Sequence, residues 1–136
     1  MEMSAVAEKN SPAPRVLVVD DEALIRWSLA ESFADVGYSV SEASDGASAV
    51  AQASEGEKFD AIVLDYRLPD SNDLHLLETI RQLQPTAAVV MMTAFGTPEV
   101  TSGALKLGAY RVVPKPFDVH DMVSLVAEAH DSSRDA

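Results

Sequence analysis

The sequence predicts an α/β domain built on a single doubly wound parallel sheet, with five strands and helices on both faces. Two observations carry this prediction. Five short apolar runs alternate along the chain with segments of helical period. Four of those runs end in residues that can do chemistry: Asp20-Asp21-Glu22, Asp65, Thr93 and, one proline further on, Lys115.

The elements follow in order. Met1 to Pro14 mixes Ser, Ala, Lys and prolines without a period and reads as a flexible tail. The domain proper runs from Arg15 to His130. Arg15 to Val19 is the first buried strand. The helix after it carries Ile25, Leu29, Phe33 and Val36 on one face, with Asp21 as the expected N-cap and Gly37 as the stop. Tyr38 to Ala43 is the second strand. Asp45-Gly46 turns the chain into a small helix carrying Val50 and Ala51, and Gly56-Glu57-Lys58 leads to the central strand.

Ala61 to Leu64 is wholly apolar and rich in β-branched residues, as a strand buried on both faces should be. An ionised carboxylate is rarely buried without a partner, so Asp65 should stand at the strand's carboxyl edge. Leu74, Leu77 and Ile80 mark a helix that ends before Pro85. Ala88 to Met92 is the fourth strand. Thr97-Pro98-Glu99 then supplies a cap, a proline at the first helical position and an acid in the first turn. Val100, Ala104 and Leu107 line that helix and Gly108 closes it. Tyr110 to Val113 is the fifth strand. The last helix carries Val119, Met122, Val123 and Val126, and Asp131 to Ala136 reads as a polar tail. Right-handed crossovers give the strand order 2-1-3-4-5 of a flavodoxin-like (βα)5 sheet.

Composition narrows the function. The chain has 136 residues, enough for one domain with a core. It lacks Cys, so disulfide frameworks, thiol nucleophiles and thiolate metal sites are excluded. A formal net charge of −12 argues against direct binding to nucleic acid or to an anionic membrane. No apolar stretch is long enough to span a bilayer, and the N-terminus does not read as a secretory signal, so a cytoplasmic location is expected.

With that strand order, Asp20, Asp21, Asp65, Thr93 and Lys115 converge on one rim. In isolation Asp20-Asp21 could merely cap a helix, Thr93 end a strand and Lys115 sit in a solvated loop. Their joint arrival at adjacent strand ends is what points to a site. Two unit charges about 4 Å apart repel by roughly 4 kcal/mol at an effective dielectric near 20. Three carboxylates therefore need more compensation than one lysine gives. Hard oxygen ligands suit Mg²⁺ (or Mn²⁺), held by carboxylates, a carbonyl and waters. Asp65, with a reference pKa of about 3.9, should already be an anion at pH 7 and so a ready nucleophile. Lys115 could then pair with one phosphoryl oxygen while Thr93 donates a hydrogen bond to another. The set suffices for phosphoryl transfer onto Asp65.

These residues sit in Val18-Val19-Asp20-Asp21-Glu22, Leu64-Asp65-Tyr66-Arg67-Leu68-Pro69, Met92-Thr93-Ala94-Phe95-Gly96 and Pro114-Lys115-Pro116-Phe117. In that wording and order, Arg15 to His130 resembles the receiver domain of two-component response regulators, nearest to the nitrogen-regulatory, sigma-54-activator type. The resemblance implies that Asp65 is the phospho-acceptor. It implies a metal held by Asp20, Asp21, Asp65 and the backbone carbonyl of Arg67. Thr93 and Lys115 would sense the phosphoryl group, and the Lys115–Pro116 peptide would be cis. The implied partners are a cognate sensor histidine kinase and an output domain or partner protein. The latter would be met through the surface of the fourth helix, fifth strand and fifth helix, with a homodimer as one outcome of phosphorylation. The implied role is regulatory rather than enzymatic, acting in transcription control, with self-catalysed phosphoryl transfer and dephosphorylation.

Two departures stand out. A glycine usual after the Leu-Pro is replaced by Asp70-Ser71-Asn72-Asp73, where Asn72 could take a left-handed conformation. Val112 stands where an aromatic switch residue is usual, and Tyr110, two positions earlier, is expected on the same face of the strand. Two other readings compete. A haloacid-dehalogenase-type phosphatase would want an acid two residues after the nucleophile, where this chain has Arg67. A flavodoxin-type cofactor module would want a phosphate-cradling first loop, which Asp20-Asp21-Glu22 would repel. His75, His120 and His130 fall on helices away from the rim and are expected at the surface.

Overall fold

The computed structural model describes residues 13–56 and 58–135, with side chains through residue 133. Residues 1–12 of the expected N-terminal tail, Glu57 of the loop before the central strand, and Ala136 lie outside the described residues. Among the described residues, strands β1 (Arg15–Val19), β2 (Ser39–Ala43), β3 (Ala61–Asp65), β4 (Ala88–Thr93) and β5 (Arg111–Pro114) alternate with five helices. The helices are α1 (Ala23–Asp35), α2 (Gly46–Ala53), α3 (His75–Leu83), α4 (Pro98–Lys106) and α5 (Val119–Asp135). All strand pairs are parallel and the order is β2-β1-β3-β4-β5.

β3 and β4 are buried along their whole length and β1 from Val16 onward, and each sends alternate residues to opposite faces. Leu17, Val19, Ile62, Leu64, Val89 and Met91 pack on the face covered by α2, α3 and α4. Val16, Val18, Ala61, Val63, Val90 and Met92 pack on the face covered by α1 and α5. Leu77 and Ile80 of α3 and Leu29 and Phe33 of α1 are fully buried, the apolar stripes that fix these helices to the sheet.

Four expectations are corrected. Val36 is 60% exposed, because α1 ends at Asp35 and the chain turns away at Gly37, whose φ of 100° only glycine adopts readily. Glu22, not Asp21, occupies the N-cap position of α1, and its own N–H donates to Asp20 Oδ1 at 2.8 Å. α5 continues through Asp135, so residues 131–135 are helical rather than a tail. No non-glycine residue among those described has positive φ, so Asn72 is not left-handed. The loop is closed instead by paired backbone hydrogen bonds between Leu68 and Ser71, at 2.7 and 3.1 Å.

Strand register positions the site. Val19 pairs with Leu64, so Asp20 and Asp65 emerge at one level. Asp65 pairs with Met92, and Thr93 with Pro114, which sets Thr93 and Lys115 one step further out on the same rim.

Candidate functional site

Asp20 and Asp65 are buried and Asp21 is exposed. Among the described residues these three bring carboxylate oxygens within 4.8 Å of one another. Lys115 reaches over them from the loop after β5. Its Nζ donates to Asp20 Oδ2 at 2.9 Å and to Asp65 Oδ2 at 3.1 Å, and it also meets Glu22 Oε1 at 3.3 Å. Glu22 was not singled out from sequence as a partner of Lys115. Its place directly after the acidic pair, at a helix start beside the rim, was the signal available.

Burial pushes the Asp65 carboxyl up, and the charge of Asp20 pushes it further. Lys115 and the backbone N–H of Arg67 pull it back, leaving it at about 6 rather than at an ordinary value. Asp65 is therefore mostly, but not wholly, ionised at pH 7, because its strand end is buried beside a second acid. Burial alone would lower the Lys115 pKa, but its bond to Asp20 and the charge of Asp65 outweigh that and hold it above the usual lysine range. Lys115 is thus a fixed cation. The Lys115–Pro116 peptide bond is cis.

Thr93 is buried at the end of β4, and its Oγ1 accepts the Phe95 N–H at 3.2 Å. The hydroxyl is engaged by its own loop rather than by the acidic cluster. Gly96 lies close over it: a Cβ there would stand 3.0 Å from Thr93 Cγ2.

The structure corrects the placement of Tyr110. Val112 packs with the α2/α3/α4 face, whereas Tyr110 packs with the α1/α5 face and donates from its hydroxyl to Glu128 of α5. The strand begins at Arg111, so the two-residue alternation does not extend back to Tyr110. His75 and His120 are exposed, but His130 is half-buried, with Nε2 3.5 Å from Asp60 Oδ1 at the opposite edge of the sheet.

The donor set fits a divalent cation. Three hard carboxylate ligands converge, one ammonium only partly offsets them, and no sulfur or imidazole competes.

The parallel five-stranded sheet thus carries an acidic cluster, a threonine and a lysine together on its carboxyl rim. The family model described as "Response regulator receiver domain" matches residues 16–127, and the chain belongs to that family. It is 36% identical over 114 residues to the DNA-binding transcriptional regulator NtrC of Escherichia coli (strain K12). That match covers 84% of this chain and 24% of the regulator, so the chain spans about a quarter of that relative's length. A CheY-like receiver domain protein from Methanospirillum hungatei JF-1 superposes with a TM-score of 0.86 at 27% identity, covering 91% of this chain and 98% of that one. The beryllofluoride-activated NtrC4 receiver domain dimer superposes with a TM-score of 0.80 at 32% identity, covering 88% and 98%. The chain is a receiver domain of two-component systems, of the NtrC type, with a regulatory role. Neither the phosphatase nor the cofactor-module reading is favoured. Among the described residues, no helix is long and apolar enough to cross a membrane.

Proposed function

We propose that this receiver takes a phosphoryl group from a phosphohistidine of its cognate sensor kinase onto Asp65, and that Thr93 and Lys115 report the event to the α4–β5–α5 surface. The observation that carries this reading is the Lys115 ammonium bridging Asp20 and Asp65 within 3.1 Å of both. It holds the two acids together on the rim and stands ready for a phosphoryl oxygen.

An Asp65 carboxylate oxygen attacks phosphorus. A P–O bond forms, the P–N bond to the donor imidazole breaks, and the imidazole nitrogen keeps the electron pair. Lys115 then exchanges its carboxylate partners for a phosphoryl oxygen. The Thr93 Oγ1 accepts the Phe95 N–H, so its O–H can donate to another, and as Thr93 turns toward the phosphoryl group it draws the β4–α4 loop with it. Asp20, Asp21, Asp65 and the Arg67 carbonyl would hold Mg²⁺ (or Mn²⁺), which when bound supplies positive charge to the phosphoryl oxygens. The same groups would support self-catalysed phosphorylation and dephosphorylation.

A groove of about 580 Å³ beside Lys115, lined by Leu24, Ile25, Phe95, Pro116 and Phe117, gives the kinase an apolar surface from which to approach Asp65. An output domain or partner protein, or a second copy of the chain, would read α4–β5–α5. In this role the chain would act in the cytoplasm, in transcription control, with no nucleic-acid or membrane contact of its own.

The test is intact-mass measurement after incubation with acetyl phosphate and Mg²⁺. One added phosphoryl group is expected, absent in Asp65→Asn. Undiminished labelling of that variant would overturn the assignment.

A further inference from the structure

Asp70 is an exposed loop acid with both carboxylate oxygens engaged. Oδ1 accepts the Gly46 N–H at 2.7 Å and Oδ2 the Ala47 N–H at 3.0 Å. These are the first amides of α2, which have no partner inside the helix, and the helix dipole favours an anion there. Gly46 permits the approach: a Cβ at this position would lie 3.0 Å from Asp70 Oδ1. The helix has a cap of its own in Asp45, whose Oδ1 accepts the Ser48 N–H at 2.8 Å. What Asp70 adds is a fixed point for the loop.

That loop carries the phospho-acceptor's neighbours. Asp70 lies five positions after Asp65. Between them, the Tyr66 N–H donates to Met92 O at 2.8 Å, and buried Leu68 exchanges two backbone bonds with Ser71. Arg67, whose N–H bonds Asp65, sits between these two anchors. Without the bonds to α2, the segment from Pro69 to Ser71 would keep the Leu68–Ser71 pair but lose its hydrogen bonds to the neighbouring helix.

We propose that Asp70 is a positioning residue for the receiver chemistry: by clamping the acceptor loop to the N-terminus of α2 it holds the Arg67 backbone beside the acidic cluster. It thereby sets both divalent-cation affinity and the rate of phosphorylation. The inference rests on the reading of Asp65 as phospho-acceptor.

The whole chain serves for the test. Mg²⁺ alone is titrated calorimetrically, the Gly46 and Ala47 amide signals are followed during that titration, and the initial rate of mass gain with acetyl phosphate is measured. Asp70→Ala should weaken Mg²⁺ binding and slow phosphorylation by about five- to tenfold, the size of one or two lost hydrogen bonds. Asp70→Asn keeps an accepting oxygen and should recover to within about twofold of wild type, a difference below a single hydrogen bond. Gly46→Ala crowds the same carboxylate from the helix side and should weaken Mg²⁺ binding in the same direction. Asp45→Ala removes the other cap of α2; it should lower the melting temperature yet leave Mg²⁺ affinity unchanged. In wild type, Mg²⁺ should move the Gly46 and Ala47 signals. An Asp70→Ala protein that matches a competent wild type, or an Asp45→Ala protein that loses as much affinity as Asp70→Ala, would overturn the clamp alone. A wild type that neither binds Mg²⁺ nor gains mass would overturn the phospho-acceptor reading and the clamp with it.

Discussion

The two halves of the sheet are built to different standards. On the acceptor side, α3 buries Leu76, Leu77 and Ile80, β3 is buried throughout, and the loop after it is tied to β4, to itself and to α2. On the reading side, α4 is as long as α3 yet buries only Ala104, β5 is half-exposed, and Ala94 to Glu99 are all exposed. Phe95 stands 75% exposed on that loop. Segments with few buried apolar contacts open at low free-energy cost, and switching elements are drawn from them. Under the proposed function, the difference separates where a signal would be received from where it would be displayed. A nucleophile needs fixed geometry, whereas a surface that must change its partners needs two arrangements of similar energy.

The largest test of that contrast is a pair of truncations. Leu77→Ala in α3 removes a fully buried side chain and should cost about 2–5 kcal/mol in urea unfolding. Leu105→Ala in α4, at a position 46% exposed, should cost less than about 0.5 kcal/mol. Equal losses would erase the distinction between the halves.

A smaller effect is electrostatic and belongs to the acceptor side. The Asp65 carboxyl is raised from 3.8 to about 6 in the folded protein, so the folded state holds this proton more tightly than the unfolded chain. Its contribution to stability is greatest below about pH 4 and falls as pH rises to about 6, by up to about 3 kcal/mol for a shift of this size. The measurement is the difference in unfolding free energy between wild type and Asp65→Asn, in chelator, from pH 4 to pH 7. Wild type should lose ground to the variant across that window, and Mg²⁺ should restore part of the loss at pH 7. A difference independent of pH would show that Asp65 titrates as an ordinary carboxylate.

Most of the fold was legible in the sequence because its signals are local. Apolar runs of the right length, ended by polar residues, mark strands β1, β3 and β4. Once the order is 2-1-3-4-5, parallel register alone brings Asp20, Asp65, Thr93 and Lys115 to one rim. What escaped depends on three-dimensional context. The Asp70 clamp joins residues 24 positions apart, and a loop aspartate looks the same in sequence whether or not it caps a distant helix. Tyr110 was assigned a face by alternation, which failed because the strand starts one residue later. The raised pKa of Asp65 comes from burial beside Asp20, a property of packing that residue type does not reveal. Half-burial of His130 likewise comes from a contact across the chain, its Nε2 lying 3.5 Å from Asp60 Oδ1, which residue type does not reveal.

The most direct test of the central claim, a fixed acceptor half driving a loosely held reading half, is amide chemical-shift mapping with and without beryllofluoride and Mg²⁺. Val112→Tyr should be measured beside wild type. Val112 is too small and too stiff at χ1 to swing into space left by Thr93 as an aromatic would. Tyr110, held by Glu128 on the opposite face, does not replace it. The account predicts shifts spread from Ala94 through α4 and β5, with α3 and the strand interiors nearly unmoved and Val112→Tyr enlarging the response at β5. Shifts confined to the residues touching Asp65, or spread as strongly through α3 as through α4, would contradict it.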